Sequence, residues 1–346
     1  MNDTNLTPRQ AEILYLLTQK PYFRSDLEKL VNSSKVTIIR DLNALISKKL
    51  VKSDGNGKSI VYRSIQNPIL RIVDLNKYFD ENSDIRNTAK SEFNFEIFNN
   101  LNDLFSAEEK KKISKDSINF DKRGKTINPT LYKREIERFT VEFAWKSSKI
   151  EGNTYTLLET EALIKNAKEA EGRSKYEANM ILNHKKAIDF ILSDRNYFKI
   201  LNLEKVVKLH SILIEGLEVT EGIREGAVAI TGTTYVPLKG RLKLKKALEE
   251  TISLINKTDF PLEKALIASS MIAYIQGFND GNKRIARTLA NAVLISNNYY
   301  PLSYRDLNES EYVKSMILFY EQNNLYNFKK IIVDQYHFSE NNYFRI

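Results

Sequence analysis

The chain has 346 residues, 42% hydrophobic and 28% charged, enough for two or three domains with ample core. It has no cysteine, which excludes disulfides, thiolate metal sites and cysteine nucleophiles, and its three histidines, His184, His210 and His337, are too scattered to suggest a zinc site. The net charge of +9 leaves a nucleic-acid partner open; with no apolar run near the roughly 18 residues of a membrane helix, and a polar MNDTNLTPRQ start, a cytoplasmic protein with no membrane partner is expected.

Residues 1 to about 63 read as three helices and a hairpin. Pro8 sits in the first turn of a helix that buries Ile13, Leu16 and Leu17. Ser25-Asp-Leu-Glu28 has the capping-box pattern of a second helix start. A third helix opens at Ser33 or Ser34, buries Val36, Ile39, Leu42 and Leu45 or Ile46, and offers Lys35, Thr37, Ile38 and Arg40 outward. Two short strands, LVKSD and SIVYR, then flank a Gly-rich turn from Gly55 to Lys58. Gly57-Lys58-Ser59 is not the end of a Walker A loop, because Lys52 stands where that motif needs glycine. Three helices with a basic wing, and the phrase TIIRDLNAL, resemble the winged helix-turn-helix domains of bacterial regulators. Residues 1–63 carry 11 Lys+Arg against 6 Asp+Glu, a net +5. The resemblance implies Lys35, Thr37, Arg40 and Lys58 on DNA phosphates and groove edges. The same fold also serves as a protein-docking or homodimer module.

Residues 64 to about 92 are mixed and polar, with Pro68 and the run DENSD, and read as a connector with some helix. Ser106-Ala-Glu-Glu109 is another capping box, opening a charged helix, and KRGKT (122–126) is a basic turn. An amphipathic helix over about 130–150 follows, with Ile136, Phe139, Phe143 and Ile150 along one stripe and Trp145 as a core anchor; it ends in SSKIEGN. Thr156-Leu-Leu-Glu159 is again a capping box, and helices around 157–167, 175–193 and 203–216 come next. His184 and His210 read as satisfied core or surface groups. Gly222-Ile-Arg224 leads into VAITGTTYVPL, a β-rich stretch with glycine and threonines at its turn, expected to be a hairpin. Helices near 243–256 and 261–275 precede the stretch YIQGFNDGNKRIARTLAN, and helices at 309–321 and 325–338 complete a mainly helical bundle.

In that stretch a turn, Asn279-Asp280-Gly281-Asn282, runs into a helix carrying Arg284 and Arg287. Gly281 admits a backbone conformation closed to other residues. The free amides at the start of the new helix form an anion site, and arginines three apart lie on one side of it. With Asp280 to hold a divalent cation, the group suits a polyphosphate. These residues resemble the motif of the Fic family, which reads His-Pro-Phe, any residue, Asp or Glu, Gly-Asn-Gly or Gly-Asn-Lys, Arg, two residues, Arg. Phe278, Asp280, Gly281, Asn282, Lys283, Arg284 and Arg287 match; Gln276 and Gly277 stand at the His and Pro positions. The resemblance implies a Fic-type bundle over roughly 93–340 that binds ATP with Mg²⁺. Its nucleotide contacts would be Gly281, Asn282, Lys283, Arg284 and Arg287, with the metal on Asp280. It also implies that the side chain at position 276 deprotonates a target hydroxyl, which becomes AMPylated. A glutamine amide hydrogen-bonds a hydroxyl but does not take its proton near neutral pH. General-base assistance is worth about 10²–10⁴-fold, so fast transfer is not expected.

The same resemblance assigns two further groups. Ser147, Glu151 and Gly152 fit the family's inhibitory pattern, in which the glutamate pairs with the second motif arginine, here Arg287, and turns it from the γ-phosphate. The VAITGTTYVPL stretch resembles the family's flap, with Gly232, Thr233 and Thr234 at its tip, where a target protein segment pairs as an added strand. Three readings follow: a nucleotide-binding regulator impaired at Gln276, an active protein adenylyltransferase, or a transcription regulator whose core binds no nucleotide. Retention of the phosphate-binding groups together with their brake argues against the third.

Overall fold

The computed structural model describes residues 6–344 apart from 66, 87–90 and 116–127, with Gln19 and Lys58 described by backbone alone. The basic turn expected at 122–126 and the Lys58 side chain therefore lie outside the described residues.

At the N-terminus α1 (Pro8–Gln19), α2 (Arg24–Leu30) and α3 (Lys35–Ser47) enclose a small apolar cluster around Ile13, Leu17, Leu27, Ile38, Leu42 and Leu45. Strands β1 (Tyr22–Phe23), β2 (Val51–Asp54) and β3 (Val61–Ser64) form an antiparallel sheet in the order β1-β3-β2, with Val51 opposite Ser64 and Asp54 opposite Val61. Sequence reading found the β2–β3 pair and missed β1. Thr7 caps α1 in a reciprocal box with Gln10.

Two expectations here are corrected. Ser34 caps α3 as foreseen, but the inner stripe is Ile38, Asp41, Leu42 and Leu45, and Val36 is 77% exposed. The reason is Asp41, which accepts Arg9 Nε at 2.5 Å and Gln10 Nε2 at 3.3 Å. A paired carboxylate tolerates burial, and its partners on α1 rotate α3 onto that face. The second correction concerns α2, which starts at Arg24 with no side-chain cap. Ser25 lies inside the first turn, and Glu28 pairs with Arg24 one turn away rather than reaching back to a cap.

The helical bundle begins with a helix described over 107–115 (α5), opened by the Ser106–Glu109 box. Then come α6 (Pro129–Lys149), α7 (Leu157–Asn166), α8 (Lys175–Ser193) and α9 (Leu203–Ile214). They are followed by α10 (Arg241–Lys257), α11 (Pro261–Ile275), α12 (Asn282–Ser296), α13 (Glu309–Gln322) and α14 (Tyr326–Asn342). At the centre α11 is buried from Ala265 through Ile275 on every side, as befits a helix that is apolar all round, with α10 and α12 packed against it. Trp145 on α6 is only partly buried; its Nε1 donates to the Tyr155 carbonyl at 3.1 Å. Among the described residues no helix is long and apolar enough to cross a membrane.

The expected hairpin at 226–240 is absent. These residues form a loop, and their one bridge among the described residues is an isolated parallel one between Glu92 and Val236, in which the Val236 N–H donates to the Ser91 carbonyl at 2.8 Å. Side chains explain why. Thr233 Oγ1 donates to Glu321 at 2.6 Å, and buried Tyr235 donates its hydroxyl to the Tyr274 carbonyl at 3.0 Å. Both pull the second arm inward, away from the first.

Candidate functional site

The turn between α11 and α12 is closed by side chains. Gln276 ends α11 in the left-handed region (φ 52°), and its Nε2 donates to the Ala273 carbonyl at 2.6 Å, so the amide folds back on its own helix. Asn282 accepts the Phe278 N–H at 2.9 Å and donates to the Phe278 carbonyl at 2.8 Å, bridging the turn like a strand partner. Gly281 adopts φ +76°, and a Cβ there would stand 3.4 Å from Arg284 Nη2 and His210 Nε2. His210 supports the turn from beneath, its ring stacked on Phe278 with centroids 3.9 Å apart. Its Nε2–H donates to the Asp280 carbonyl at 2.8 Å, which places the lone pair on Nδ1. That nitrogen is buried with no partner among the described residues, so His210 is satisfied on one side only. Burial pulls its pKa down to about 4, and the ring is neutral.

The two motif arginines are both buried. Arg284 donates from Nη1 to the Leu213 carbonyl at 3.0 Å and from Nη2 to Asp280 Oδ2 at 2.6 Å. Arg287 faces the end of α6: Nε donates to Ser147 Oγ at 2.9 Å, and Nη2 donates to the Ser147 carbonyl at 2.9 Å and to Glu151 Oε1 at 2.8 Å. The Ser147 hydroxyl is itself oriented. His184 donates from Nδ1 to the Met180 carbonyl at 2.8 Å, so its Nε2 accepts the Ser147 hydroxyl at 2.8 Å and leaves Ser147 Oγ a lone pair for Arg287. Burial, aided by the nearby arginines, lowers the pKa of His184 to about 3 and keeps it neutral. Gly152, at φ +91°, lets the chain turn directly after Glu151. Lys283 Nζ lies 3.8 Å from the other oxygen of Glu151. The fold thus brings Ser147, Glu151, Lys283 and Arg287 together, with Arg284 on α12 pairing Asp280 in the turn that precedes it.

Sequence reasoning gave no role to Arg224. This buried guanidinium has no carboxylate partner among the described residues and instead donates to three carbonyls. They are Gln276 (Nε, 2.5 Å), Gly226 (Nη1) and Leu238 (Nη2, 2.6 Å), while its own N–H donates to the Gly277 carbonyl at 3.0 Å. It therefore ties the start of the turn to both ends of the 226–240 loop. Burial lowers its pKa. Carbonyl acceptors leave no trace in a sequence, so no signal was available. Of the other expected residues, Thr234 is exposed and Gly232 and Thr233 are held by the chain itself. Lys35 and Arg40 are exposed and Thr37 half-buried, all on α3 in the separate N-terminal cluster.

The site has the groups an anion needs. Arg287 Nη1 is buried without a hydrogen-bond partner among the described residues, and the first amides of α12 lack intrahelical acceptors. The carboxylate of Asp280 is about half exposed (52%), and no cluster of three acidic, histidine or cysteine side chains occurs among the described residues. A hard cation there would take its remaining oxygens from water and phosphate, which is how magnesium is commonly held.

Residues 200–294, spanning α9 to α12, match the model of the Fic/DOC family. The fold agrees with that match, and the segment from α9 to α12 is similar to the Fic/DOC family. Protein adenylyltransferase Fic from Nematostella vectensis is 26% identical over 184 residues, covering 52% of this chain and 43% of the relative. Protein adenylyltransferase fic-1 from Caenorhabditis elegans is 22% identical over 194 residues, covering 54% and 38%. The chain therefore spans less than half the length of these relatives. Among solved structures, a Fic-1 fragment from C. elegans aligns with a TM-score of 0.57 at 20% identity over 69% of this chain and 72% of the fragment. A Fic domain containing signaling protein from Bacteroides thetaiotaomicron gives 0.54 at 18% identity over 67% and 95%. These likenesses establish the fold.

Proposed function

We propose that the chain is a nucleotide-binding regulator of Fic fold, its pocket closed by its own glutamate and its capacity for AMP transfer reduced by Gln276. The observation that carries this reading is the hold on Arg287 by Ser147 and Glu151. One guanidinium cannot serve a carboxylate and a γ-phosphate in the same geometry, so the pair competes with ATP. In the open state Gly281, Asn282, Lys283, Arg284 and Arg287 would surround the phosphates of ATP. Asp280 would hold Mg²⁺, which supplies charge neutralisation and orientation when bound. Gln276 would position a target hydroxyl without deprotonating it. Residues 1–63 would act as a winged helix-turn-helix domain on DNA through Lys35, Thr37, Arg40 and Lys58, with 64–92 as connector to the Fic domain at 93–340.

Calorimetric titration of ATP and Mg²⁺ into wild type and Glu151→Gly tests the core of this. Clearly tighter binding by the variant is expected; no binding by either would remove nucleotide from the reading. The names of the relatives favour a second reading, an active protein adenylyltransferase. Glu151→Gly protein incubated with labelled ATP and lysate separates the two. A labelled band that a Gln276→Ala control lacks would sink the impaired reading.

A further inference from the structure

The connector does more than join two parts. Its α4 (Leu75–Phe79) and the following residues to Arg86 lie at α13 and the 226–240 loop, and the centre of the contact is Glu321, which is fully buried. Arg86 donates to it twice, Nη2 to Oε1 at 2.9 Å and Nε to Oε2 at 3.1 Å. Tyr78 donates its hydroxyl to Oε2 at 2.7 Å, and Thr233 donates to Oε1 at 2.6 Å. Arg86 Nη2 also donates to the Gly232 carbonyl at 2.7 Å. The tip of the loop is therefore fixed by the connector through one carboxylate.

A few residues on, the connector takes the loop's backbone as well. The Ser91 carbonyl accepts the Val236 N–H, and Glu92 forms the parallel bridge to Val236. Two further contacts anchor that piece. Phe93 stacks on Tyr274 with centroids 4.7 Å apart, and the Asn94 N–H donates to the Tyr274 hydroxyl at 3.0 Å. We propose that the described residues Tyr78 to Arg86 and Ser91 to Asn94, at the end of the connector, form an internal strap. It occupies the edge of the 226–240 loop on which an extended polypeptide would otherwise pair, so that target docking requires the strap to leave. This rests on reading 226–240 as the docking segment.

The chemistry of the latch sets the terms of release. Removing one member of a buried ion pair strands the other, and Glu321 stays on α13 when Arg86 leaves with the strap, so release requires water to reach the Glu321 carboxylate. The latch therefore favours two end states, fully closed or fully solvated, over a half-open one. An exposed loop edge with unpaired N–H and C=O groups then adds a strand by backbone pairing.

Hydrogen exchange on the full chain tests the strap without reference to nucleotide. Arg86→Ala should speed exchange of the 230–236 amides by about tenfold or more while the α11 peptide, 261–275, is unchanged. Glu321→Gln keeps the shape and loses the charge, and should give an intermediate increase. Unchanged exchange at 230–236 in both variants would overturn the strap. Loss of protection across 261–275 as well would also overturn it, because the pair would then be a general support of the core. A failed ATP titration would alter neither outcome, so the two readings fail separately.

Discussion

The motif turn has two unlike halves. From Phe278 onward, every group that would hold a phosphate is present and supported: Gly281 in its left-handed conformation, Asn282 bridging the turn, and two buried arginines with fixed partners. Before Phe278, the side chain at the position where the proposed function would need a base is the Gln276 amide, turned back on Ala273. Both halves are equally well packed, so the difference is chemical and not a matter of order. On the proposed function, the protein would keep a closed phosphate pocket beside a reaction centre that lacks its base.

The sharpest way to break this contrast is to supply the base. In a Glu151→Gly background, Gln276→His should raise transfer of label from ATP to protein by about 10²–10⁴-fold. Adding Gly277→Pro tests the neighbouring departure, although a Cβ there meets Leu248 Cδ1 at 3.0 Å and Leu248 must shift. If transfer stays at the Gln276 level with histidine in place, the reduced chemistry has another cause.

The phosphate half rests on two buried neutral histidines, and pH reports on them. Both folded pKa values, about 3 for His184 and about 4 for His210, lie below the unfolded value near 6.5. The unfolded chain thus binds protons first as pH falls, and stability present at pH 7.5 is lost toward the folded pKa values. At pH 5 the loss is about 2 kcal/mol for each histidine, measured by denaturant titration. His184→Gln and His210→Gln should each flatten the slope. A slope unchanged in both would place the acid sensitivity elsewhere.

The base half rests on Arg224. Arg224→Met removes the donor shared by Gln276, Gly226 and Leu238 and should destabilise by about 2 kcal/mol, seen as a lower Tm. Less than about 0.5 kcal/mol would mean that water replaces the guanidinium without loss. The smallest expected effect is on the brake: Glu151→Gly should tighten ATP by about tenfold, or 1.4 kcal/mol, because Ser147 still holds Arg287.

What was legible in the sequence follows how far each interaction reaches. The turn and its helix could be read because Gly281, Asp280 and the arginines act within ten residues of one another. Pairing of Glu151 with Arg287 was expected only through family resemblance, since nothing local joins α6 to α12. The face of α3 was misread because Asp41 is drawn inward by Arg9 and Gln10 on another helix. The hairpin differs for a similar reason: the β-rich stretch with glycine and threonines at its turn suggests one, but Glu321 and Tyr274, both distant in sequence, claim the side chains of Thr233 and Tyr235.

The enclosure of α11 has a consequence for kinetics. A helix buried on every side moves only with the core that surrounds it, so the turn it carries is held by that core. Any step that frees Arg287 must therefore come from the other side, by fraying of the last turn of α6 around Ser147 to Gly152. On the proposed function, the rate at which the pocket opens would be the local unfolding rate of six residues, tunable by helix propensity there without touching the motif.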